Sequence, residues 1–142
     1  MISTELARAL RDSGLVWHPK AQDNFLIDQV EVDADVFTLS DMTVEAHEFD
    51  TGTVLGFNGT TEWALDSVSL DDALWLPRED QLRELLAVAF VSLERTPDGY
   101  TVAASIEGAQ QIFPASDAAN AYARALLAIL THLTPAEDLP TL

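Results

Sequence analysis

Cysteine is absent from the 142 residues, which excludes disulfide staples, thiolate nucleophiles and Cys-based zinc sites. Basic residues are nearly as scarce: seven Lys and Arg stand against 24 Asp and Glu, giving a formal charge of −17 at pH 7 and a sequence pI near 4.1. Between Lys20 and Arg78 there is no Lys or Arg at all, while thirteen carboxylates fall in that stretch. Ordinary nucleic-acid binding draws most of its affinity from cations on phosphates, so the sequence argues against direct nucleic-acid binding. Anionic membrane surfaces are disfavoured by the same repulsion. Long apolar runs are missing too. Nothing approaches the ~18 consecutive residues of a membrane span, and MISTELARALRDSG mixes charges where a signal peptide would be basic and then apolar. These absences lead to the expectation of a cytoplasmic protein without membrane insertion.

Catalytic signatures are also lacking. There is no G-x-S-x-G elbow, no phosphate-binding loop, no G-x-G-x-x-G after a strand and no H-E-x-x-H pair. The sequence therefore leans away from an enzyme, with no catalytic residue, no metal and no cofactor assigned. Glu31-x-Asp33-x-Asp35 has the alternate carboxylates that open a calcium loop. Val36 stands where that loop needs Gly and Met42 where it needs a bidentate Glu, which excludes an EF-hand and leaves an irregular cation site or a solvated acidic face. His18, His47 and His132 are far apart in sequence. His132 in a last helical turn complements the helix dipole.

What is present is a core: 48 % of the residues are apolar, enough for one domain of this length without staples. The expectation is a single α+β domain over residues 1–134 with a loosely held tail at 135–142. Its centre is the stretch 43–93. Asp50-Thr51-Gly52 and Phe57-Asn58-Gly59-Thr60 set turn residues between β-prone runs, predicting a meander of strands at 44–49, 53–57 and 60–65. A helix should follow, with Pro77 at its first position and Glu79 and Asp80 in its first turn. Leu82, Leu85, Leu86, Ala89, Phe90 and Leu93 recur at spacings of three and four, which continues that helix to Leu93.

Elsewhere, Ser3 caps a short first helix ended by Gly14, and 25–27 and 36–39 read as strands. Thr96-Pro97-Asp98-Gly99 is a turn. A second hairpin runs over 100–106 and 110–113 through Glu107-Gly108, and Ser116 is placed to cap a last helix bearing Tyr122, Ala125, Leu126, Ile129, Leu130 and Leu133. The predicted architecture is an antiparallel sheet of hairpins packed against two longer helices, plus the short N-terminal helix.

Three functional readings follow. The first is a non-enzymatic protein-binding or regulatory module, self-associating or with a protein partner, whose surface is the last helix together with Trp75. The second is a small-ligand pocket near the meander using Glu45, His47, Trp63, Trp75 and Tyr100, since a histidine beside carboxylates and aromatic rims is what such a site requires. The third is an acidic inhibitor that imitates a phosphate backbone.

The segments LSDMTVEAHEFDTGTVLGFNGTTEWALDSV and ALWLPREDQLRELL, with FPASDAANAYARALLAIL near the end, resemble a group of short acidic bacterial proteins, some of which carry a pilus-assembly label. The likeness runs over about residues 6–133. The second half is also similar to small phage-encoded proteins. The resemblance implies an acidic bacterial or phage protein and supplies no catalytic motif to carry over. The ATPase that the pilus label refers to needs a phosphate-binding loop, and this sequence has none.

Overall fold

The computed structural model describes residues 1–27, 36–39, 44–49, 52–57, 67–69 and 72–132, with the backbone alone described within 44–49, 52–57 and 67–69. The chain divides into two compact units, Trp17–Leu76 and the combination of Met1–Val16 with Pro77–Leu142.

The described residues of the Trp17–Leu76 unit hold two small antiparallel sheets. In the first, β1 (Asn24–Ile27) lies between β2 (Val36–Thr38) and β6 (Ala73–Leu76). Register sets Phe25 opposite both Phe37 and Trp75. Because cross-strand partners share a face, these three aromatics form one row. Trp17 lies beside it, 5.5 Å from Phe25 between ring centroids. Phe25, Leu26, Leu39, Ala73 and Leu74 are buried. The second sheet is the meander of β3 (Val44–Phe49), β4 (Gly52–Phe57) and β5 (Ser67–Ser69), with Phe49 opposite Gly52. The first two strands fall where the turn residues place them. The strand predicted at 60–65 and the carboxylates at 31, 33 and 35 lie outside the described residues.

The other unit is built around one helix. Helix α1 (Thr4–Asp12) opens with the Ser3 hydroxyl accepting from the Leu6 N–H at 3.2 Å, and Gly14 takes the chain out at φ +110°. Helix α2 (Glu79–Leu86) starts with the Arg78 N–H donating to Gln81 Oε1 at 2.9 Å. A 3-10 turn at Ala87–Ala89 leads into the antiparallel meander β7 (Phe90–Thr96), β8 (Gly99–Ile106) and β9 (Ala109–Ala115), followed by α3 (Ala118–His132). Helix α3 packs on β8 and β9, and α1 and α2 pack on α3. Leu10, Leu82, Val102, Tyr122 and Leu126 are fully buried there. Each such side chain is worth about 1.5–3 kcal/mol in transfer from water, far more than an exposed ion pair such as Arg11 with Asp12.

The α+β class holds, and several particulars differ from expectation. Among the described residues the strands form three three-stranded sheets and not one. The central helix ends at Leu86 and not at Leu93. Ala87 adopts φ 51°, ψ −125°, which no α-helix contains, and Phe90 and residues 92–96 pair with β8. Short apolar runs fit both periods, and here the strand won because it still delivers Phe90 to Tyr122, 5.7 Å between ring centroids. The turn at Pro97-Asp98 consequently joins two strands. Pro77 precedes the cap position, held by Arg78, and is buried. Asp117, not the exposed Ser116, caps α3, its Oδ1 accepting from the Asn120 N–H at 2.8 Å.

Candidate functional site

Among the described residues of the Trp17–Leu76 unit the buried polar group is Asp23, which is 2 % exposed. It sits in the tight connection after Pro19, where Gln22 takes φ +74° and its N–H donates to the Leu39 carbonyl at 2.8 Å. Asp23 Oδ2 accepts from Trp17 Nε1 at 2.9 Å and from the Lys20 N–H at 3.0 Å, and the Asp23 carbonyl accepts from the Leu39 N–H at 2.9 Å. Buried polar groups are nearly always satisfied in this way. The carboxylate thus fastens the first residues of the unit to β1 and fixes the Trp17 ring against Phe25. Trp75 stacks on Trp17 with centroids 6.5 Å apart and planes 10° from parallel. Its own Nε1 is buried with no hydrogen-bond partner among the described residues.

In the other unit the distinctive surface is apolar. Val88, at the tip of the 3-10 turn, is 100 % exposed, Val91 at the start of β7 is 48 % exposed and Leu93 is 37 % exposed. The turn that presents Val88 is strained: a non-Gly residue at positive φ costs of the order of 1–3 kcal/mol and persists only when its surroundings hold it. The pairing of β7 with β8 shifts register between Phe90 and Ser92. That bulge leaves Val91 without an opposite residue.

The residues proposed for a pocket are distributed as follows. Glu45 and His47 are on β3, opposite Gly56 and Val54. Trp63 lies outside the described residues. Trp75 is half-buried on β6, in a different sheet from Glu45 and His47. Tyr100 belongs to the other unit, on β8 opposite Arg95 and Ala115. His132 Nε2 lies 2.7 Å from Glu107 Oε1, joining the end of α3 to the β8–β9 turn. Among the described residues no group of three or more His, Asp and Glu comes together as a metal site. No helix among them is long and apolar enough to cross a membrane.

Sequence reasoning missed Asp23, Val88 and Val91. Asp23 is one of thirteen carboxylates in its stretch, and only its spacing from Pro19 and Trp17 hinted at a turn-closing role. Val88 and Val91 fall within the helical spacing that runs to Leu93 in the sequence, which conceals their exposure. No family model matches the chain, and no curated protein or solved structure matches it.

Proposed function

We propose that this protein is a non-enzymatic binding module that recognises another protein through the lip formed by the 3-10 turn and β7. The supporting observation is the exposure of Val88, Val91 and Leu93 within six residues of chain. Single exposed apolar residues are ordinary. Three clustered on a strained turn and a sheet edge form the kind of apolar centre that interfaces bury. The last helix, expected from sequence to carry this surface, is occupied in the core: Tyr122, Leu126 and Leu130 are buried. The test is affinity capture of the tagged protein from its native cell extract at low and high salt, beside a Val88→Ser, Val91→Ser double variant. A partner retained at high salt and lost by the variant supports the lip. A partner held equally by the variant removes it.

The charge distribution favours a second reading, an acidic inhibitor. The Trp17–Leu76 unit carries thirteen of the 24 acidic residues and one of the seven Lys and Arg, so a formal −12 of the −17 lies in sixty residues. Such a field steers cationic partners. A captured partner released by salt and indifferent to Val88 and Val91 would move the function to this unit.

A further inference from the structure

Among the described residues β7 is an edge strand, hydrogen-bonded to β8 alone. The opposite edge of the sheet, β9, is blunted twice over. Pro114 has no N–H to offer, and its carbonyl already accepts from the Arg124 guanidinium. β7 contains no proline, and its residues 91, 93, 94 and 95 are all exposed. An edge of this kind presents a row of backbone donors and acceptors that an extended chain satisfies.

We propose that β7 takes up an extended segment of the protein partner as a fourth strand, an inference that rests on the protein-binding reading above. The side chains of β7 specify the occupant. Leu93 and Glu94 point to opposite faces of the sheet, and residues opposed across strands share a face. An incoming strand therefore sets an apolar side chain beside Leu93 and, one residue away, a Lys or Arg beside Glu94. Arg95, on the face of Leu93, repels a second cation at the next position on that side. The occupant is an extended segment in which apolar and cationic residues alternate. The charge of −17 speeds its encounter with this chain, and the same charge makes a second copy of the protein a poor occupant. Val91, displaced by the bulge, and Val88 beyond it give the segment an apolar landing point past the regular ladder.

The experiment uses the full chain and a synthetic peptide of about nine residues alternating Val and Lys. Its control has the same length and charge but Pro at every second apolar position, which cannot join a ladder. Binding is measured by fluorescence anisotropy at about 0.3 M salt, where long-range attraction is largely screened, and amide hydrogen exchange is followed in β7. The expected result is binding of the alternating peptide about tenfold or more tighter than the control, with exchange slowed at alternate β7 amides. Glu94→Lys should weaken binding by about tenfold. Equal binding of the two peptides, no binding of either, or binding without β7 protection overturns strand addition. The protein-binding reading fails on a different observation, a captured partner indifferent to Val88 and Val91.

Discussion

Trp17 and Trp75 stack with their ring centroids 6.5 Å apart and their planes within 10°, yet they differ in one respect. The Trp17 indole N–H donates to Asp23, while the buried Nε1 of Trp75 has no partner among the described residues. Two like rings in one cluster are thus placed on opposite sides of the rule that buried polar groups are paired.

Phenylalanine substitution separates them. Trp75→Phe removes an unsatisfied donor whose burial costs about 1–3 kcal/mol, which offsets the smaller ring, so stability should change by less than about 1 kcal/mol. Trp17→Phe takes away a donor on which the Asp23 carboxylate depends and should cost about 2–3 kcal/mol. Urea unfolding of both variants decides the matter. Equal losses would mean that the Trp75 N–H has a partner in solution.

Asp23→Ala should be worse than either ring substitution. It strips the acceptor from both the Trp17 indole and the Lys20 N–H, two donors in a buried turn, for a loss of about 2–4 kcal/mol. Asp23→Asn keeps one oxygen of the right shape and should recover about half of that. The Trp17 near-ultraviolet dichroism should weaken in the Ala variant and survive in the Asn variant. An Ala variant as stable as the parent would show that the carboxylate does not hold the turn.

The elements that could be read from the sequence are those whose determinants are local. Ser3 and Gly14 bound α1, β3 and β4 stand on either side of the turn residues near Gly52, and Glu107-Gly108 separates β8 from β9. The end of α2 could not be read, because Leu86, Ala89, Phe90 and Leu93 satisfy a helical stripe until β8 is there to pair with Phe90 and Leu93. The candidate surface was hidden by the same ambiguity: in a helix Val88 and Val91 are unremarkable, and only the turn at Ala87 turns Val88 fully outward. Asp23 was unreadable for another reason. A carboxylate that closes a buried turn has the same letter as the eight other Asp residues between Lys20 and Arg78, and its distinction lies in Trp17, six positions earlier.

Ala87→Gly tests the strain at the lip. At φ 51° and ψ −125° a Cβ is unfavourable, and glycine reaches this region freely. Stability should rise by about 1 kcal/mol, less what the unfolded chain gains in freedom. A melting temperature that falls would show that the turn holds no strain, and the inference that its surroundings impose it would go with it.

Acid should loosen the start of α2. Arg78 donates to Asp80 at 3.1 Å, and that hydrogen bond holds the Asp80 carboxyl below its ordinary value of 3.8. A depressed folded value means that the contribution is fully present above the unfolded value and is lost as pH falls through the folded one. The pair is exposed and the effect modest. Hydrogen exchange in the first turn of α2, corrected for intrinsic rate, should accelerate below about pH 4 in the parent. In Arg78→Ala, whose Asp80 lacks the partner, the acceleration should begin at higher pH. Identical profiles would dissociate the helix start from this pair.

Two glycines in one hairpin system distinguish backbone angle from space. Gly108 has φ +79° and nothing within 4 Å of where a Cβ would stand, whereas Gly99 has φ +150° and a Cβ there would run into the Ala115 carbonyl and the Ser116 backbone. Gly108→Ala therefore meets only the left-handed penalty, about 1 kcal/mol. Gly99→Ala meets a backbone that cannot yield without separating β8 from β9 near Tyr100, which lies opposite Ala115, and should cost about 3 kcal/mol or more. The β8–β9 ladder carries α3 on its face, so this loss should appear as cooperative unfolding of the unit and not as local fraying. Chemical denaturation followed by far-ultraviolet dichroism gives both numbers. If the two variants are equally stable, the close approach at Gly99 relaxes without cost, and the junction between β9 and α3 is softer than its geometry implies.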